Sequence, residues 1–218
     1  MKRIRVSSSE AFAPIVGEEL KKIAKRKDGP IRIGLPGGRG SVPVVQGVVN
    51  SSSEIVKRIE LYLVDERLEG ATNKETLLDV GLQDAIDKGT FSLSQLHVPQ
   101  LDSPLFDFEG ELDLVFLGIG EDGHIASLFP GSFPALDALG TADVVLVEDS
   151  PKPPLRRATV SYRALRTRAR KCRTFLMFFG EGKRAAFDRF MANTEMPSTL
   201  PVLFFPRELF NVTIVTDL

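Results

Sequence analysis

Short runs of apolar residues, some alternating with polar ones, give way in turn to stretches with a helical period. "RIRVSS" near the N-terminus alternates with period two, the pattern of a half-buried strand. Phe12, Ile15, Val16, Leu20, Ile23 and Ala24 then recur at helical spacing. That predicts a helix running to about Lys27, with Ser8 or Ser9 as its cap. "IRIGL" predicts a second strand, followed by the turn "PGGRGS" and a short helix from about Val42. "IELYLV" is a third strand that ends at "DER". "TNKETLLDVGLQDAIDKG" is helical in pattern, and "LDLVFLGIG" is the fourth strand. "DVVLVED", "ATVSY", "RTFLMFF" and "VTIV" supply later strands, with a helix over "EGKRAAFDRFMAN" behind "RTFLMFF".

Alternation of strands and helices predicts an α/β protein: three α/β/α layers around a mostly parallel central sheet, Rossmann-like in type. No internal repeat interrupts it, and "DSPKPPL" is too short to be a linker, so residues 1–218 read as one domain. The glycine-rich and polar segments follow strands: "PGGRGS", "DER", "GEDGH" and "GEGK". Ligands of parallel α/β sheets bind outside the carboxyl ends of the strands, so these segments are expected to converge on one pocket.

Composition narrows the classes. Hydrophobic residues make up 43% of the chain, enough for a substantial core, and the net charge of -1 argues against a nucleic-acid partner. A single cysteine, Cys172, allows no internal disulfide. "MKRIRVSSSEAFAPIVGEEL" lacks the pattern of a signal peptide, and no apolar run approaches the roughly 20 residues that span a bilayer. A soluble, cytoplasmic protein without a membrane partner is expected. The basic run from Arg156 to Arg173 reads mainly as a solvated helix face, with one or two arginines available to a small anion.

Four segments carry candidate chemistry. In "LPGGRGSV", Gly37, Gly38 and Gly40 permit positive φ, so loop amides can hold an anion, with Ser41 adding a hydroxyl and Arg39 a charge. The P-loop lysine and the G-x-G-x-x-G pattern are both missing, so a nucleotide is not indicated. "VDERLEGATN" puts Asp65, Glu66 and Arg67 past an apolar strand, either as a loop-ordering salt bridge or as a substrate-facing Arg67 oriented by an acid. "GEGK" puts Lys183 at a helix start, where the macrodipole disfavours a cation unless an anion lies between. "GIGEDGH" is the strongest of the four. Asp122 and His124 are separated by one glycine, an arrangement in which a carboxylate can hold the tautomer of a histidine that takes a proton from water. His97, in "LHVPQ", reads as structural. One useful histidine and no cysteine cluster make a poor zinc set, so no metal is expected.

"LGIGEDGHIASLFPGS" resembles the signature loop of the 6-phosphogluconolactonases. The resemblance continues through "YLVDERL", Asn73, "SPKPPLRRAT" and "FFGEGKRAAF", in the same order from about residue 30 to residue 190. It implies hydrolysis of 6-phospho-D-glucono-1,5-lactone to 6-phosphogluconate in the pentose phosphate pathway, without metal or cofactor, by a monomer. It also implies His124 as general base, Asp122 as its orienting partner, Arg67 at the substrate, and the phosphate among the "GGRGS" loop, Arg157 and Lys183. The family commonly has glycine-glycine-serine-threonine where this chain has "GGRGS", which leaves open which atoms hold the phosphate.

Two other functions are weighed. Glucosamine-6-phosphate deaminases share "GIG-x-DGHIA" but continue with phenylalanine, asparagine, glutamate and proline, and the glutamate assists ring opening. Here Ser127, Leu128, Phe129 and Pro130 follow, and phenylalanine cannot shuttle a proton. A non-catalytic sugar-phosphate sensor would not need the histidine, and such regulators carry a DNA-binding helix-turn-helix that does not precede the first strand here.

Overall fold

Ile31, Ile33 and Leu35 face one side of their strand and Val115 and Leu117 face the other side of a neighbouring one, so both faces of the sheet are buried. The strands are β1 (Lys2–Arg5), β2 (Ile31–Leu35), β3 (Ile59–Leu63), β4 (Asp65–Arg67), β5 (Leu96–His97), β6 (Leu114–Gly118), β7 (Val144–Val147), β8 (Arg157–Val160), β9 (Arg173–Phe178) and β10 (Asn211–Thr216). These are seen in a computed structural model that describes residues 2–132, 142–205 and 209–218. Seven strands form one sheet in the order β1-β10-β9-β6-β2-β3-β5, and every pairing in it is parallel. The expected mostly parallel sheet is therefore present.

Helices cover both faces. α1 (Ala13–Ala24), α2 (Val42–Val49), α3 (Ser53–Val56), α4 (Asn73–Leu77) and α5 (Gln83–Asp87) belong to one layer, where Phe12, Val16, Leu20, Val44, Val45, Val48, Ile55, Leu77 and Ala85 pack on Ile33, Phe116 and Phe175. α6 (Tyr162–Arg168) and α7 (Arg184–Ala192) belong to the other, with Tyr162, Leu165, Phe187 and Phe190 against Val115, Leu176 and Phe178. Phe116 and Phe175 stack at 5.0 Å across β6 and β9, and Phe12 meets both edge-on.

Three local features differ from the sequence-based expectation. The Ser9 hydroxyl donates to Glu10 Oε1 at 2.9 Å and caps no backbone amide, and a single 3₁₀ turn over Glu10–Phe12 leads into α1 instead. The helix expected over "TNKETLLDVGLQDAIDKG" is broken at Gly81, whose φ of 138° only glycine adopts readily, giving a widened turn over Leu78–Leu82 between α4 and α5. "DER" does more than end a strand. It is β4, and with β8 and β7 it makes a separate antiparallel sheet of three strands in the order β4-β8-β7.

That small sheet stands at the carboxyl end of β3, because only Val64 separates β3 from β4. Its register sets Asp65 opposite Thr159, Glu66 opposite Ala158 and Arg67 opposite Arg157. Side chains alternate across a strand, so Asp65, Arg67, Arg157 and Thr159 share one face and Glu66 takes the other.

Candidate active site

The chain leaves β2 toward β3 on one side, whereas β6, which follows later, lies on the other. The carboxyl ends of β2 and β6 therefore flank a topological switch point. A cleft of about 610 Å³ opens there, lined by the loops after β2, β6 and β9 and by the small sheet. Gly37, Gly38, Arg39, Asp65, Arg67, His124, Arg157 and Lys183 all line it, so the four candidate segments do converge. Asp122 stands behind His124, and Ser41 stands apart. The Ser41 side chain is fully buried and its hydroxyl donates to Gly38 O at 2.6 Å, so it stabilises the glycine loop from within. Among the loop glycines only Gly38 has positive φ, at 60°. Gly37 matters for another reason: a Cβ there would come within 1.9 Å of the Asn73 side chain.

The loop after β6 is folded back on itself. Ile119 pairs with Ile125 and Ile125 with Leu128 in isolated antiparallel bridges, and the Gly120 amide donates to His124 O at 2.9 Å. Ile119, Ile125 and Leu128 are buried and anchor the hairpin-like turn, leaving residues 120–124 at its tip. A Cβ on Gly120 would come within 2.0 Å of His124 Nδ1, and one on Gly123 within 2.1 Å of Leu200 Cδ1. Both glycines thus permit close approach, the first by the imidazole and the second by the segment at residues 196–204. That segment is tied on by Val202 N donating to Gly123 O at 3.0 Å and Gly131 N to Ser198 O at 2.7 Å.

His124 Nδ1 lies 2.6 Å from Asp122 Oδ1, and the same oxygen accepts the His124 amide at 3.2 Å. Burial alone would raise the Asp122 carboxyl, but the hydrogen bond and charge of His124, with backbone donors, hold it down at about 2. An ionised Asp122 accepts a proton bond from Nδ1, so Nε2 is left as an acceptor. Phe129 packs on the imidazole at 4.7 Å and fixes its plane.

The cationic wall comes from three places. Arg157 is 8% exposed and is braced by Pro154 O at 3.2 Å from Nε and Lys152 O at 2.9 Å from Nη2. Burial lowers its guanidinium from the usual arginine value, an effect the Asp65 carboxylate opposes. Lys183 stands at the entry to α7, as expected, and burial pulls its ammonium down, with Lys152 and Arg39 adding like charge and Glu121 and Asp122 opposing. Arg67 donates to Ala71 O at 3.1 Å, while its Nε is buried without a protein partner. Of the basic run from Arg156 to Arg173, only Arg157 reaches the cleft. Arg163 and Arg168 pair with Asp143, and Arg173 pairs with Glu19.

Glu66, whose role sequence left open, faces away from the cleft. Its carboxylate accepts the amides of Arg67 and Asn73, both at 2.6 Å, and of Lys74 at 2.9 Å, which bolts β4 to the start of α4. His97 Nε2 lies 2.7 Å from the Glu60 carboxylate and its ring stacks on Tyr62 at 4.3 Å, a structural pairing outside the cleft lining. Sequence reading did not select Lys152, although "SPKPPL" contains it; it lines the cleft, as does Glu121. Among the described residues no group of three or more His, Cys, Asp or Glu side chains is placed to hold a metal ion, and no helix is long and apolar enough to cross a membrane.

A cleft of this position and charge defines the class: α/β proteins that bind a small anionic molecule at the carboxyl edge of a parallel sheet. The sequence profile described as glucosamine-6-phosphate isomerases/6-phosphogluconolactonase matches residues 7–211. The chain belongs to that family. It is 27% identical to the 6-phosphogluconolactonase of Borreliella burgdorferi over 88% of this chain and 86% of the relative. It is 45% identical to that of Mycobacterium tuberculosis, but over 34% of this chain and 28% of the relative. Matches to relatives from Caenorhabditis elegans and Dictyostelium discoideum cover 58% and 49% of those proteins. The fold is shared with the solved 6-phosphogluconolactonase of Thermotoga maritima, with a TM-score of 0.74 at 21% identity over 98% of this chain and 96% of that one.

Proposed function

We propose that the protein is a 6-phosphogluconolactonase, a hydrolase that converts 6-phospho-D-glucono-1,5-lactone to 6-phospho-D-gluconate in the oxidative pentose phosphate pathway. The observation that carries the reading is the His124–Asp122 pair, with His124 lining a cleft that Arg157 and Lys183 also line. The lactone phosphate binds Arg157, Lys183 and the loop of Gly37, Gly38 and Arg39. This remote handle brings the ring carbonyl to the imidazole, so binding energy from the phosphate is used in positioning.

Water then attacks the lactone carbonyl carbon while His124 Nε2 takes its proton, a general-base step worth roughly 10²–10⁴-fold. The Arg67 guanidinium, which lines the cleft, stabilises the oxyanion. Collapse of the tetrahedral intermediate breaks the bond from the carbonyl carbon to the ring oxygen. The imidazolium returns its proton to that oxygen, which becomes the hydroxyl of the open acid. Asp122 keeps the imidazole in the required tautomer and stabilises its charged form. Asp65, on the same face as Arg67, orients the substrate-facing cations and offers its carboxylate to a sugar hydroxyl.

The deaminase alternative is disfavoured by Phe129. It stands where that chemistry requires an acid, and it packs on the imidazole. The same reading takes residues 1–218 as one domain, supported by a single family match over residues 7–211, and takes the protein to act in the cytoplasm as a monomer. The deciding experiment follows 6-phosphogluconate formation above the spontaneous background, beside ammonia release from glucosamine 6-phosphate. Ammonia release without lactone turnover would overturn the assignment.

A further inference from the structure

Asp65 and Arg157 are buried, oppositely charged and adjacent, yet they do not make a direct charge-assisted bond. Asp65 Oδ2 and Arg157 Nη1 are 4.0 Å apart, whereas such bonds normally close to about 2.7–2.9 Å. The Ser127 hydroxyl stands between them. It donates to Asp65 Oδ2 at 2.7 Å and accepts from Arg157 Nη1 at 3.5 Å. Ser127 is itself fully buried, and its amide donates to Thr159 Oγ1 at 3.1 Å, which fixes the hydroxyl from the β8 side.

We propose that Ser127 is a positioning residue, a hydroxyl spacer that keeps Asp65 from drawing the Arg157 guanidinium out of the cleft. The proposal rests on the reading that Arg157 holds the substrate phosphate. Arginine has five N–H donors in a rigid fork. Pro154 O, Lys152 O and Ser127 Oγ take one each, the last through a long bond, which leaves one N–H on each terminal nitrogen for an anion. A direct bidentate pair with Asp65 would claim that edge instead. Ser127 also follows His124 by three residues in the same folded-back loop, so the loop that carries the water-activating histidine also carries the hydroxyl beside Arg157.

The test compares kcat/KM on 6-phosphogluconolactone with kcat/KM on unphosphorylated glucono-1,5-lactone. In Ser127→Ala the carboxylate and guanidinium close on each other, and the preference for the phosphorylated lactone falls about tenfold or more, the scale of one charged hydrogen bond lost to the phosphate. The loss is expressed mainly in KM for the phosphorylated substrate. Ser127→Cys, close in size but a weak donor, gives an intermediate preference and decides the matter if Ser127→Ala does not fold. A merely structural serine lowers the melting temperature and depresses both substrates equally. An unchanged preference in a folded variant, or equal losses on both lactones, overturns the proposal. A wild-type enzyme that turns over the lactone but shows no preference for its phosphate removes the underlying reading of Arg157, and the spacer role with it.

Discussion

Asp122 Oδ1 accepts both the ring Nδ1 and the backbone amide of His124, so one carboxylate oxygen fixes the imidazole at two points. Gly120 leaves room for this closure, since any side chain there would overlap the ring. The pair is consequently a preorganised unit whose members can be removed separately.

Replacing His124 by Asn should lower turnover of 6-phosphogluconolactone at least about a hundredfold, the lower end of general-base contributions, while product binding persists. Asp122→Asn should lower kcat, because Nδ1 loses the carboxylate that holds the imidazole in its tautomer. Steady-state rates of the two variants check both, and an unchanged kcat in Asp122→Asn would remove Asp122 from the mechanism.

The depressed Asp122 carboxyl also makes a stability prediction. Its folded value of about 2 lies below the ordinary 3.8. Its contribution is therefore complete above 3.8 and disappears as pH falls toward 2. Asp122→Asn should melt below wild type at pH 6, and the gap should narrow to nothing near the lower limit. Paired thermal melts at several pH values measure this, and a constant gap would contradict it. The side chain is 37% exposed, so solvent screening keeps the effect modest.

Lys183→Ala should weaken phosphorylated ligands by roughly 10–100-fold, the scale of one charged hydrogen bond, and leave unphosphorylated lactone far less affected. Calorimetric titration with 6-phosphogluconate against gluconate separates the two. Arg157→Ala should do the same at a higher cost in stability, because Asp65 is left buried beside Ser127 without its cation.

Gly120→Ala places a methyl 2.0 Å from His124 Nδ1, so the loop or the ring must move. Activity should fall at least about a hundredfold, as small displacements of catalytic groups do, with the fold intact by circular dichroism. Wild-type rates in this variant would mean that the imidazole does not need its present position.

Much of this was legible in sequence for physical reasons. Ile31, Ile33 and Leu35, or Val115 and Leu117 beside Phe116, carry enough apolar surface to mark buried strands, and glycine-rich polar segments beyond them mark the carboxyl edge. Asp122 and His124 were visible because they are local. What escaped was non-local. Three residues of "DER" give no strand signal until Arg157–Val160 pairs with them across about ninety positions of chain. Leu96–His97 is shorter still. Ser41 had the right residue type, but which way its hydroxyl turns is decided by Gly38 O. Nothing in the sequence marks the contacts of Ser127, because its partners, Asp65 and Thr159, come from other strands.

The antiparallel ladder of β4 and β8 places Arg67 directly across from Arg157, a juxtaposition of like charges that a free-standing sheet would avoid. Backbone pairing therefore works as a caliper whose two jaws are guanidinium groups, with the gap set by strand register. Slipping that register by one residue would turn one jaw to the far face, and lengthening a flanking turn would widen the opening. Homologous chains that act on shorter or longer sugar acids should differ first in these two strands.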